Sequence, residues 1–291
     1  MDKQAIDKLI EAEFEMLPRV LQQAARFVIG NPNEVALESM RSVARKAGVQ
    51  PAAMLRLARQ LGFDSYDAYR EHYRIWLANH NSPLAGRASA LRRGPHGDAN
   101  SELLSELYNT EAKNLAETLG PEGYEQITAA LGYLQNARRI YVMGLRSLFS
   151  AACYFNYVCG MFMDNITLVS STGGTFADEL RRIDERDVLL AFSYHPYTQD
   201  SMRAIEFASS KNAKIVAITD SQVAPVAAHA VVLLLAPNAT PSLLPSVTPA
   251  LAMSQTLAAL LLANCGEESL EEIARSESQL KHFNVYLPTT R

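Results

Sequence analysis

Cysteine, tryptophan and surplus positive charge are all scarce in this 291-residue chain. Its three cysteines, Cys153, Cys159 and Cys265, make no CxxC pair and no disulfide framework, a usage that suits a reducing compartment. Without clustered Cys and His there is no zinc-ligand spacing, so neither a metal nor another cofactor is expected. Lys and Arg number 27 against 31 Asp and Glu, for a formal charge of −4, which excludes a global basic field. Any surface for nucleic acid must therefore be local. Long apolar runs are missing too: residues 253–263 supply about half of the roughly 20 residues that a membrane span needs. The acidic, amphipathic start, MDKQAIDKLIEAEFEM, lacks the pattern of a signal peptide. A cytoplasmic protein with no membrane partner is expected.

What is present is an ordinary globular composition, 48% hydrophobic and 20% charged, at a length that suits about two domains. From Ala5 to about Leu77 the apolar period is helical, with breaks at Gly30-Asn31-Pro32 and Gly48. Residues 79–100, NHNSPLAGRASALRRGPHGDAN, read as a connector with room for a short helix at 88–92. Two amphipathic helices, 101–119 and 122–135, then lead into strand-like runs at 139–144, 166–170, 188–193, 214–219 and 231–236. Helical segments at 148–163, 176–183, 198–209 and 246–263 alternate with them. Val, Ile and Leu without alternation mark strands covered on both faces, and intervening helices imply a parallel sheet. The division expected is residues 1–78 as an all-α helix–turn–helix domain, 79–100 as linker and 101–291 as a three-layer α/β domain.

The most informative local pattern is SMRSVARKAGVQPAAMLRLARQLGF, Ser39 to Phe63. Gly48 suits a left-handed helix stop, and Pro51 suits the first position of a new helix. Met54, Leu57, Ala58 and Leu61 fall at i, i+3, i+4 and i+7, a buried stripe; Ala52, Arg56 and Arg59 lie opposite. Between Met40 and Phe63 the basic residues are Arg41, Arg45, Lys46, Arg56 and Arg59, with no acidic one. A helix presenting arginines away from its core can enter a major groove. Arg41, Arg45, Lys46, Gln50, Ala52, Ala53, Arg56 and Arg59 are the candidate DNA contacts, the small alanines allowing close approach. A solvated basic face explains the same pattern without DNA.

In an open parallel sheet, ligands sit beyond the carboxyl ends of the strands. The exits here read Gly144-LRS147, Ser170-STGGT175, Ser193-YHPYT198 and Thr219-DS221. Hydroxyls and free N–H groups near helix starts bind anions, phosphate above all, although single Ser and Thr residues there are often only caps. Gly144, Arg146, Ser147, Ser193, His195 and Thr198 are the candidate effector residues, with Arg146 able to pair bidentately with phosphate or carboxylate. Glu179 could approach from its helix but also reads as an exposed face. No catalytic residue is assigned, because no exit pairs a carboxylate with a histidine and none holds a nucleophile beside a base.

Both halves together resemble the RpiR-type (MurR/RpiR) bacterial transcriptional regulators, which join a helix–turn–helix to a sugar isomerase (SIS) domain. The resemblance runs through Leu17-Pro18, residues 25–29 and Asn31-Pro32, then Ser42-VARKAGV49 and Met54-LRLARQLGF63. It continues in Val142-MGLRS147, Asp187-VLLAFS193 and Ala213-KIVAITDS221 with Pro225. It implies a regulator, not an enzyme, whose SIS domain senses a small metabolite, commonly a phosphosugar. It also implies a homodimer or dimer of dimers on a palindromic double-stranded operator. The competing reading is a sugar-phosphate isomerase-like enzyme with an accessory helical domain. Departures fall in the phosphate loops. Where the family has Gly-x-Gly-x-Ser, this chain has Gly144, Arg146 and Leu148, with Ser147 adjacent. Where it has Ser-x-Ser-Gly-x-Thr, Ser193 and Thr198 remain, but His195 and Pro196 replace the middle pair, and Pro196 removes an N–H. The usual Ala-Asp near the last strand is Ala230-Val231.

Overall fold

The computed structural model describes residues 3–79, 83–92, 99–170, 172 and 175–287. The expected linker, 79–100, lies partly outside these residues. The N-terminal part is helical: α1 (Lys3–Glu13), α2 (Arg19–Gly30), α3 (Pro32–Leu37), α4 (Met40–Lys46), α5 (Pro51–Gln60) and α6 (Tyr66–Asn79). Proline at the first turn starts both α3 and α5, where a missing N–H costs no bond. Ser39 caps α4, its side chain accepting the Ser42 N–H at 3.3 Å.

Two left-handed glycines bracket α5. Gly48 (φ +68°) ends α4, and the Val49 N–H closes back on the Ala44 carbonyl at 2.9 Å. Gly62 (φ +85°) ends α5, with the Phe63 N–H on the Ala58 carbonyl at 3.0 Å. Both are the six-to-one closure that lets a helix stop sharply. The predicted stripe is buried: Met54, Leu57 and Ala58 are fully enclosed and Leu61 is nearly so. They pack with Ile6, Ile10, Leu21, Val28, Val43, Tyr69 and Tyr73. The hydroxyls of Tyr69 and Tyr73 satisfy each other inside that core at 2.9 Å.

Residues 79–100 include α7 (Pro83–Arg92), longer than the short helix expected there. Helices α8 (Ala99–Thr118) and α9 (Tyr124–Gln135) follow. The sheet consists of β1 (Ile140–Gly144), β2 (Ile166–Val169), β3 (Val188–Ser193), β4 (Lys214–Thr219) and β5 (Val232–Leu235). All pairings are parallel, in the order β2-β1-β3-β4-β5, with Ile140 opposite both Ile166 and Val188. Strands β1 and β3 are buried along their whole length, as their unbroken apolar composition dictates.

Alternate residues feed two cores. Val142, Leu190 and Phe192 face Leu134, Phe155, Met253 and Leu257, contributed by α9, α10 (Phe149–Cys159) and α13 (Thr248–Ala263). Met143, Leu189 and Ala191 face Leu180, Ile205 and Ala208, on the side of α11 (Phe176–Glu179) and α12 (Gln199–Ser210). A last helix, α14 (Glu267–His282), follows α13; the sequence reading stopped at Ala263. Its high Glu content and lack of any buried residue explain why no core stripe announced it.

Candidate functional site

The helix–turn–helix presents Arg41, Arg45, Gln50, Ala52, Arg56 and Arg59 to solvent. Arg56 and Arg59 sit opposite the buried stripe, and among the described residues neither makes an ion pair. One of the expected contacts needs correction. Ala53 is fully buried in the helical core, so it cannot touch a duplex; its methyl is part of the packing beneath α5. Lys46 bridges to Glu38 at 2.7 Å and Glu34 at 3.1 Å. These carboxylates fold back from outside the acid-free 40–63 stretch and hold the Lys46 pKa above its ordinary value, chiefly through the Glu38 contact. Much of its charge is thus answered within the domain.

In the second domain every strand leaves at the same end of the sheet, because all are parallel. Gly144 closes β1 under the following turn. A Cβ there would lie 2.5 Å from the Leu148 carbonyl oxygen, so no other residue fits without moving backbone. Arg146 follows with φ +57°, exposed and in a left-handed conformation uncommon for an arginine. Such strain collects at functional positions. Leu148, where the resemblance expects a serine, is buried in the core and offers no hydroxyl; Ser147 beside it is exposed.

At the end of central strand β3, Ser193 is only 3% exposed, yet among the described residues its hydroxyl has no hydrogen-bond partner. Unpaired buried hydroxyls are uncommon and costly. The backbone carbonyl of the same residue is satisfied by Thr219 Oγ1 at 2.7 Å. His195 donates its backbone N–H to Asp220 at 3.2 Å, and its ring meets Tyr197 edge-on at 5.7 Å. Burial, then the charges of Lys3 and Arg87, pull the His195 pKa down to about 4. The imidazole is therefore neutral near pH 7, and the cationic side chain of the β1 exit is Arg146. Thr198 serves as the cap of α12, accepting the Ser201 N–H at 3.2 Å and meeting the Ser201 hydroxyl at 2.7 Å.

The other two exits depart from the expected anion cradle. At the β2 exit, the Glu179 carboxylate already accepts the Ser170 N–H at 2.7 Å, the Ser170 hydroxyl and the Thr175 hydroxyl. An acidic side chain occupies the place where an anion was expected, and Glu179 is therefore no solvated face. At the β4 exit, Ser221 donates to Glu11 of α1 at 2.7 Å. Asp220, which the sequence offers only as part of the β4 exit, accepts from the β3-exit loop; burial raises its pKa despite the donors around it. A separate polar cavity of about 280 Å³ at the β1–β2 edge is lined by Arg139, Thr167, Arg181 and Arg182 together with Asp178 and Glu179. None of the candidate effector residues lines it. Among the described residues no group of His, Cys, Asp and Glu is placed to hold a metal, and no single helix is long and apolar enough to cross a membrane.

Residues 133–263 match the family model of the SIS domain, and the sheet described above is the body of that domain. The chain is 20% identical over 195 residues to an uncharacterized HTH-type transcriptional regulator of Clostridium perfringens, covering 67% of this chain and 68% of that one. In fold it is similar to the sugar isomerase domain of an RpiR transcription factor from Sphaerobacter thermophilus. That match has a TM-score of 0.57 and 22% identity, and covers 61% of this chain and 99% of the other. It is also similar to the Vibrio vulnificus NanR protein complexed with ManNAc-6P. Here the TM-score is 0.51 and the identity 16%, over 96% and 98% of the two chains. The architecture is that of a helical N-terminal domain joined to an SIS domain. Together these findings assign the SIS domain and show that the chain shares its fold with RpiR-type structures.

Proposed function

We propose that the chain is a DNA-binding transcriptional regulator whose SIS domain binds a small anionic metabolite of the phosphosugar class and thereby modulates operator binding. The observation that carries this reading is α5. Its stripe is buried, while Arg56 and Arg59 stand exposed on the opposite face without acidic partners among the described residues. A solvated surface helix needs no such concentration of unanswered guanidinium groups. On the sensing side, the buried unpaired hydroxyl of Ser193 and the strained, exposed Arg146 supply a neutral donor and a fixed cation. That pairing suits a phosphate or carboxylate carrying hydroxyl groups. The NanR relative was solved with ManNAc-6P, a ligand of that class.

Dimerisation on a palindromic site follows from the energetics of recognition. One small module makes too few phosphate contacts for specific binding, and two-fold symmetry doubles them. Linkage requires the ligand and the operator to affect each other's binding by the same factor. The test is the double variant Arg56→Ala/Arg59→Ala, titrated at fixed salt against a duplex from immediately upstream of its own gene. Each lost base or phosphate contact is worth about 1–3 kcal/mol, so affinity is expected to fall roughly 30-fold or more. Affinity equal to wild type would refute the assignment.

A further inference from the structure

The segment leaving β4 touches both domains. Asp220 is half-buried, and its carboxylate accepts the His195 N–H on Oδ2 and the Tyr197 hydroxyl on Oδ1, each at 3.2 Å. Both donors belong to the loop 193–198, which carries three of the candidate effector residues. Thr219 Oγ1 lies equally far from Asp220, but its single proton is better placed on the Ser193 carbonyl at 2.7 Å. Beside Thr219 and its own backbone, Asp220 thus draws two of its donors from the β3-exit loop.

The next residues belong to the other domain's surroundings. Ser221 Oγ donates to Glu11 Oε1 at 2.7 Å, and Gln222 Nε2 donates to the Glu11 carbonyl at 3.3 Å. Val223 is fully buried within the same core as Ile6, Phe14, Leu21 and Val28. Pro225 seats against Gly30 at the end of α2; a Cβ on that glycine would lie 2.7 Å from Pro225 Cγ. Tyr197 packs against the helical core and against the α12 side of the sheet. One six-residue segment thus has its first carboxylate in the effector loop and its fourth side chain inside the DNA-binding domain.

We propose that residues 220–225, with Tyr197, are the mechanical link through which the state of the 193–198 loop sets the placement of the DNA-binding helices. The inference rests on the ligand-sensing reading above and specifies the route. A ligand that draws His195 or Tyr197 toward itself takes a donor from the half-buried Asp220 carboxylate, and a polar group that loses its partner there is costly. Rotation of the segment relieves it. Because Val223 is locked in close-packed surroundings, that rotation displaces α1 and α2 as a unit.

Hydrogen exchange on the full chain tests the link without any ligand. Tyr197→Phe keeps the ring and removes only the hydroxyl bond to Asp220; Asp220→Asn weakens the same junction from the other side. The link predicts exchange at least about 5-fold faster for amides of α1 and α2 in both variants, with α13 amides unchanged. Unchanged exchange in α1 and α2, or a uniform rise through both domains, would overturn it. If Asp220→Asn fails to fold, Tyr197→Phe alone decides. Duplex affinity of the wild-type preparation is measured alongside. Its absence would defeat the regulator reading and leave the link standing, whereas silent exchange defeats the link alone.

Discussion

His195 and Ser193 show how much a residue's meaning depends on burial that sequence does not display. The spacing places both at the exit of β3, but nothing in Ser193-YHPYT198 announces that the serine hydroxyl is enclosed and, among the described residues, unpaired, or that the imidazole is neutral. The lowered His195 pKa has a defined consequence. Between its ordinary value of 6.5 and about 4, the unfolded chain takes up a proton there that the folded chain refuses. Stability is therefore lost as pH falls through that window and is intact above it. Burial and the charges of Lys3 and Arg87 all act in this direction. The variant His195→Gln should lose less stability than wild type between pH 7 and pH 5, by on the order of 1–2 kcal/mol in urea unfolding. Parallel pH profiles for the two proteins would show that the ring is solvated after all. Lys46 and Ala53 teach the converse. Their helix positions were readable, but the approach of Glu34 from α3 and of Glu38 just after it, and the depth of Ala53, are tertiary facts.

At the scale of elements the sequence was most legible where one period dominates. All five strands fall within a residue or two of the expected runs, because doubly covered strands must be continuously apolar. The turn before α5 was equally plain, since Gly48 is the residue a left-handed stop requires. Gly48 and Gly62 allow that requirement to be separated from packing. Both have positive φ, but a Cβ at Gly48 would lie 2.9 Å from Gln23 Nε2, whereas at Gly62 it would meet nothing within 4 Å. Gln23 also holds the Ala47 carbonyl at 2.9 Å. Gly62→Ala should cost about 1–2 kcal/mol from backbone strain alone, and Gly48→Ala more than that. Equal melting-temperature losses for the two variants would contradict the role given to Gln23. Helix α14 is the opposite case: no residue of it is fully buried, and the few apolar residues Leu270, Ile273 and Leu280 make only a faint stripe among its charges.

At the scale of the molecule, the order helical domain, connector, parallel-sheet domain was visible because the apolar period changes from helical to strand-like across the connector. The contact between the two domains was not. Glu11 and Ser221 are separated by 210 positions, and neither residue type signals a partner at that range. Nor does Val223, in the run ITDSQVAP, reveal that it leaves its own domain to fill another's core. The same contacts join the helical part that carries α5 to the segment leaving β4, and the proposed link rests on them. The most direct measurement of the proposed operator binding is the ratio of affinities for the duplex upstream of its own gene and for a scrambled duplex of equal length, at one physiological salt concentration. The account predicts at least about a 1,000-fold preference for the former; a ratio near one would contradict it.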